Sequence, residues 1–266
     1  ALQVKNALVD LQREQWGERS SIDLDHPDLA LHLHLNRGGA VLSLDGSGGS
    51  LHRRGYRAAM GTAPLKENLA AGLIQLTGWD GRTPLVDPCC GSGILLIEAV
   101  TMALQQAPGL NRTFGLEGWA DFEMDLWERE QDRARQRRRS DLDLAPVLGY
   151  EKDPHVADQA RDNIRAAGLE GLISIHSGSF EQQTLPPGPG LLVCNPPYGQ
   201  RIGADDDLEQ LYRSLGSFLK EQASGWQLWL LSGNPSLTGA LRLKASRRIP
   251  ISNGGIDCRW LNYAIR

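Results

Sequence analysis

The residues best suited to chemistry in this chain are Asn195, Pro196, Pro197 and Tyr198, which close the short apolar run "GLLVC". The Asn195 side-chain oxygen and the Pro196 carbonyl are two neutral acceptors one residue apart, and the prolines fix φ around them. Such a pair suits an amino group whose lone pair is delocalised into a ring. Each acceptor takes one N–H, which turns the lone pair toward an electrophile and limits delocalisation. Neither acceptor has to ionise, so the chemistry is direct in-line transfer by positioning and electrostatics. Tyr198 adds an aromatic face on which an extruded base can stack. The plainer alternative is a proline-rich turn that closes a strand.

A second constellation lies upstream in "LVDPCCGSG". Asp87 ends an apolar run, and Gly91, Ser92 and Gly93 form a turn that opens a helix. Glycine lets backbone approach a ligand, and Ser92 with the first helical amides offers donors at a positive helix end. A nucleotide-like ligand is expected there, with a tight structural turn as the alternative. The dinucleotide fingerprint requires Gly or Ala at position 96, where this chain has Leu96. Asp87, at the strand tip, is placed to meet an ammonium group. Both details favour S-adenosylmethionine over NAD. Glu151, ending "GYE", is placed to accept hydrogen bonds from ribose hydroxyls. Cys89 and Cys90, within the turn, read as small packing residues and not as nucleophiles.

These residues need a scaffold of alternating strands and helices. From about Thr83, "TPLVD", "PVLGYE", "LISIHSG", "GLLVCN" and "WQLWLLSG" read as strands. "SGILLIEAVTMALQQ", "DPHVADQARDNIRAAG" and "DLEQLYRSLGSFLKEQ" read as helices between them. Asp153 is the expected N-cap of the second helix, with Pro154 at its first turn and Gly168 past its end. This rhythm predicts an α/β parallel sheet with helices on both faces. "ASRRIPIS" and "IDCRWLNYAI" then predict an antiparallel hairpin turning at Asn253-Gly254. Residues from about Pro108 to Ala145 form an insertion. Before all this, a helix in "LQVKNALVDLQREQWG" and a half-buried hairpin, "DLALHLHLN" with "GAVLSLD", precede a flexible connection at "GSGGS".

Composition sets bounds on these readings. With 266 residues, 41% of them hydrophobic, the chain can bury one large domain plus something smaller. A net charge of −4 gives no global sign of a nucleic-acid partner. The run Arg133 to Arg139 reads as a solvated helix face or mobile loop. Four cysteines, without C-x-x-C pairs, point to a reducing, cytoplasmic setting and no zinc site. His32 and His34 share a strand face, yet no carboxylate or cysteine nearby in sequence completes a metal set. No apolar run approaches the roughly 18 residues of a membrane span, and no signal sequence is visible. The chain starts at Ala1 without Met, which leaves room for an upstream segment.

The blocks "LHRRGYR", "APLKENLAA", "DPCCGSGILLIEA", "CNPPYGQR" and "NGGIDCR" together resemble THUMP-containing guanine-N2 RNA methyltransferases, in particular the bacterial group acting on 23S ribosomal RNA. The resemblance implies a class I S-adenosylmethionine-dependent methyltransferase (Rossmann-like) sheet over residues 51–266, ending in an antiparallel hairpin. It makes residues 1–50 the C-terminal part of a THUMP-like α+β RNA-binding segment with a linker. It implies guanine N2 as the methyl acceptor, held at Asn195, Pro196, Pro197 and Tyr198. The cofactor falls to Asp87, Cys89, Gly91, Ser92, Gly93, Glu151 and Asn195. Many relatives have an adenine-contacting Asp where this chain has Ser179, and Phe180 packs either on the adenine or in the core. Arg53, Arg54 and Arg57 meet phosphates or brace the two domains, with bracing preferred for at least one. Transfer-RNA guanine-N2 methyltransferases, DNA adenine-N6 methyltransferases and a noncatalytic RNA-binding scaffold are the alternatives.

Overall fold

The computed structural model describes residues 2–25, 27–57, 65–198 and 205–266. Gly199, Gln200 and Arg201 of the "CNPPYGQR" block, and Ala63 and Pro64 of "APLKENLAA", lie outside the described residues. The chain forms two compact units. One gathers Ala1–Leu51 with Arg112–Glu130, the other His52–Asn111 with Gln131–Arg266.

The smaller unit contains helix α1 (Leu2–Trp16) and strands β1 (Ala30–Asn36) and β2 (Gly39–Asp45), paired antiparallel around Arg37-Gly38. The strands form where alternation predicts them, but they are not half-buried: Leu35 is 67% and Leu44 55% exposed. A two-stranded ribbon has no second layer of its own to cover an apolar face. "GSGGS" is also tied down and does not hang as a flexible connection. Arg112 donates to the carbonyls of Ser47, Gly49 and Ser50 at 2.6, 3.2 and 3.2 Å, and its guanidinium lies 4.9 Å from the Phe114 ring centre. A Cβ at Gly48 would stand 2.5 Å from the Gly115 nitrogen, so glycine alone permits this approach. Phe114 and Phe122 pack edge-on against Trp127. Residues 112–130, expected within an insertion of the larger domain, therefore pack with the N-terminal residues.

The larger unit is built on a sheet of seven strands among the described residues: β3 (Leu85–Asp87), β4 (Val147–Glu151), β5 (Ser174–Ser177), β6 (Leu191–Cys194), β7 (Gln227–Ser232), β8 (Arg247–Asn253) and β9 (Ile256–Ala264). Their order is β5-β4-β3-β6-β7-β9-β8. The first five run parallel, and β9 pairs antiparallel with both β7 and β8. The central strands are apolar on both faces because each face is covered, as expected of a parallel sheet. Leu85 faces one core with Leu73, Leu96 and Ile97, while Val86 faces a second with Leu192, Tyr212 and Leu215.

Helices α3 (Ile94–Ala103), α5 (Pro154–Ala166) and α6 (Asp205–Gln222) follow the predicted segments. Asp153 caps α5 by accepting from His155 and Val156 nitrogens at 2.9 and 3.4 Å. Helix α2 (Glu67–Thr77), which the pattern reading does not assign, packs beside α3. The solvated helix α4 (Met124–Gln136) has no buried residue, and α7 (Pro235–Ala240) is short.

The terminal hairpin differs by one residue from its expected turn. Asn253 pairs with Ile256, which leaves Gly254-Gly255 as the two-residue loop at φ 59° and 84°. A tight loop with positive φ at both centres is cheapest with two glycines, and it frees Asn253 to serve as a strand residue.

Candidate active site

The parallel strands end together at the edge where the predicted residues meet. Asp87 closes β3, Glu151 closes β4, and Asn195 follows β6. In an open α/β sheet this carboxyl edge, beside the point where strand order reverses, is the usual ligand crevice. Here β3 lies between β4 and β6 at that reversal.

Asp87 is buried, and its Oδ1 accepts the Cys89 backbone nitrogen at 3.1 Å. Burial pushes its carboxyl up to about 8; the Cys89 bond works against this, and the charge of Glu151 adds to it. A buried carboxyl without a cation pays the desolvation cost of its charge alone. A ligand ammonium would remove that penalty.

Glu151 is more than a candidate ribose partner. Its Oε2 accepts the Gly91 nitrogen and its Oε1 the Asp153 nitrogen, both at 3.0 Å. The carboxylate thereby fixes the glycine turn to the end of β4. Gly91 has φ 54°, and apart from its two chain neighbours no described residue has an atom within 4 Å of where its Cβ would be. Gly93 (φ 81°) caps α3 and sits against Ala160 of α5, where an added Cβ would lie 3.4 Å away. The Ser92 carbonyl accepts the side-chain amide of buried Asn163 at 3.0 Å. The turn is thus pinned from two sides while its outer face stays open.

A glycine that the pattern reading does not single out explains Leu96. In β4, a Cβ at Gly149 would come within 2.7 Å of Ile175 Cδ1, 2.8 Å of Leu96 Cδ1 and 2.9 Å of Cys90 Sγ. Close helix–strand packing is therefore obtained by removing the side chain from the strand, in place of a third glycine on the helix. Cys90 and Cys194 are buried and Cys89 is half-buried, in agreement with packing roles. Burial pushes the thiols of Cys90 and Cys194 well up.

Ser179 and Phe180 follow β5. The Ser179 hydroxyl accepts the Glu181 nitrogen and donates to the Glu181 carboxylate, capping a short 3-10 turn. Phe180 is buried and meets Phe218 edge-on at 5.3 Å, so it joins the core.

Just past β6, Asn195 Oδ1 is buried and has no hydrogen-bond partner among the described residues. Pro196 is buried, and Pro197 and Tyr198 are half-buried. The Tyr198 hydroxyl accepts Asn253 Nδ2 at 2.9 Å and lies 3.6 Å from Cys258 Sγ. Its ring backs onto Gly233, where a Cβ would stand 3.2 Å from Tyr198 Cδ2. Burial raises the phenol to about 12; the Cys258 contact adds to this and the Asn253 bond opposes it.

Two of the three junction arginines, Arg54 and Arg57, brace the larger unit from within. Arg54 pairs with Glu98 at 3.5 Å and Arg57 with Glu67 at 3.7 Å, and both carboxylates are buried. Tyr56 also donates to Glu98, at 2.9 Å. His32 pairs with Asp45 at 3.4 Å. The described residues hold no group of three or more potential metal ligands, nor any helix long and apolar enough to cross a membrane.

Two family models match the chain. The model described as RMKL-like, methyltransferase domain matches residues 54–262, and the THUMP domain model matches residues 1–45. A Synechocystis protein, provisionally named an RNA methyltransferase, is 43% identical over all of this chain and 69% of its own length. The ribosomal RNA large subunit methyltransferase K/L of Syntrophotalea carbinolica is 44% identical over the whole chain, which spans 39% of that protein. Among solved structures, SMU.472, in complex with SAH, superimposes with TM-score 0.87 at 29% identity, covering 100% of this chain and 69% of that one. The larger unit has the class I methyltransferase fold.

Proposed function

Because this chain belongs to the RMKL-like methyltransferase domain family, we propose that it transfers a methyl group from S-adenosylmethionine to guanine N2 in 23S ribosomal RNA. The observation that carries the reading is the buried Oδ1 of Asn195 at the end of β6, which has no hydrogen-bond partner among the described residues. A buried acceptor left unsatisfied costs about 1–3 kcal/mol, and an exocyclic amine is a donor that would satisfy it.

The residues at the sheet edge fit the proposed cofactor. Asp87 would take its ammonium group, the open face of Gly91 its close approach, and Glu151 its ribose hydroxyls. When bound, S-adenosylmethionine supplies an activated methyl group that carries its own leaving group. Asn195 and the Pro196 carbonyl orient the amine; as neutral acceptors they do not take the proton that the amine sheds on methylation, which passes to solvent. Tyr198 supports the base, and the prolines keep the acceptors in place before substrate arrives. The THUMP-like segment presents the RNA. Four free thiols favour a reducing compartment, such as the cytoplasm.

The name of the Syntrophotalea relative favours ribosomal over transfer RNA. Incubation of the protein with S-adenosylmethionine and either 23S or transfer RNA, followed by nucleoside mass spectrometry, tests this. N2-methylguanosine in 23S RNA is the expected product. Methyl groups only on adenine N6, or in neither RNA, would refute the reading.

A further inference from the structure

The C-terminal hairpin reaches back to the reaction motif. Tyr198 is the last described residue before 205, and two residues of the antiparallel strands, with a glycine just past β7, lie against it. Asn253 Nδ2 donates to its hydroxyl at 2.9 Å from the end of β8. Cys258 Sγ approaches the same oxygen at 3.6 Å from β9. Gly233, just past β7, removes a side chain that would crowd the ring, its Cβ position also lying 3.1 Å from Ile256 Cγ2 and 3.3 Å from Cys258 Sγ.

The hairpin geometry makes this contact specific. Because the loop is Gly254-Gly255, Asn253 is the final paired residue of β8, opposite Ile256. An Asn in the loop itself would satisfy turn chemistry by tolerating a left-handed backbone. Placed one residue earlier, Asn253 spends its side-chain amide on Tyr198, 55 residues away in sequence. The prolines fix the backbone before Tyr198, but they do not fix the orientation of its ring. A hydroxyl held by a directional N–H donor does.

We infer that Asn253 is a positioning residue for methyl transfer. It acts through the Tyr198 hydroxyl to set the ring plane against which the target base rests. Cys258 and Gly233 shape the slot, and the antiparallel end of the sheet thereby becomes part of the reaction site. The inference rests on the proposed role of the Asn195 to Tyr198 motif.

A double-mutant cycle tests it, with kcat and KM for RNA measured for wild type, N253A, Y198F and the double variant. N253A is expected to lower kcat about tenfold, on the scale of one lost hydrogen bond. KM should change less than about twofold, since phosphate contacts carry much of RNA affinity. Y198F should lower kcat similarly, and the double variant should be no slower than Y198F alone. Thermal melting establishes that each variant folds. Independent, multiplying effects of N253A and Y198F on kcat would overturn the inference, as would an N253A effect confined to KM. N195A, measured alongside, separates the two readings: an N195A protein as active as wild type refutes the acceptor role, while the cycle still decides whether Asn253 acts through Tyr198. A wild-type protein that methylates no RNA overturns both.

Discussion

With Asp87 in its proposed role as partner of the cofactor ammonium, its burial makes cofactor affinity depend on pH in a direction that can be worked out beforehand. The unliganded carboxyl titrates near 8, raised from an ordinary 3.8 mainly by burial. Below pH 8 it therefore holds a proton, which an arriving ammonium group must displace to gain its counterion. Binding expels that proton, so affinity rises with pH up to about 8, above which the ligand's own ammonium begins to lose its proton. Each unit below 8 is worth up to about 1.36 kcal/mol, or tenfold in the dissociation constant, which sets a ceiling of about a hundredfold between pH 8 and pH 6. Titration calorimetry of S-adenosylhomocysteine in buffers of different ionisation enthalpy measures both quantities. Close to one proton should be released per ligand at pH 6.5, and far less at pH 9. D87N should bind weakly, with a flat profile. Equal wild-type affinity from pH 6 to 9, with no proton released, would refute the reasoning. The same raised value has a sign for folding: the native state holds the proton more tightly than the unfolded chain between 3.8 and about 8. This group's contribution to the stability of the unliganded protein is therefore lost as pH rises through that window.

Other outcomes follow from the packing. N195A should keep S-adenosylhomocysteine affinity within about twofold while kcat falls by roughly a hundredfold, measured by calorimetry and single-turnover methylation. G149A forces a Cβ to within 2.9 Å of three side-chain atoms, and chemical denaturation should show a loss of about 1–3 kcal/mol. R57M leaves the buried Glu67 carboxylate without its 3.7 Å partner; a loss of about 3–5 kcal/mol is expected, and pairing it with E67M should restore much of it.

The parts of the fold written in local patterns were legible in the sequence. The strand-helix alternation and the Asp153 cap depend on neighbours a few residues away. What pattern reading missed depends on distant partners. Helix α2 begins with Glu67, a charge that looks solvent-facing until Arg57 is found beside it. Arg54 reads equally well as a phosphate contact, yet it pairs with Glu98 44 residues on. Gly149 looks like an ordinary strand glycine, and only the crowding by Ile175, Leu96 and Cys90 shows why no side chain fits. Residues 112–130 read as an insertion in the larger domain because chain order says so; contacts from Arg112 and Gly115 place them otherwise.

The Glu151 carboxylate joins two backbone amides, one in the glycine turn after β3 and one opening α5. Carboxylate oxygens only accept, so both amides are satisfied at once. Glutamine in its place has the same shape but sets an NH2 group against either Gly91 or Asp153, donor facing donor. That substitution would loosen the glycine turn from the start of α5, which are the methionine and ribose ends of the cleft in the proposed binding mode. Weak cofactor binding in E151Q would then measure the loss of a shared rivet, and only in part the loss of a sugar contact.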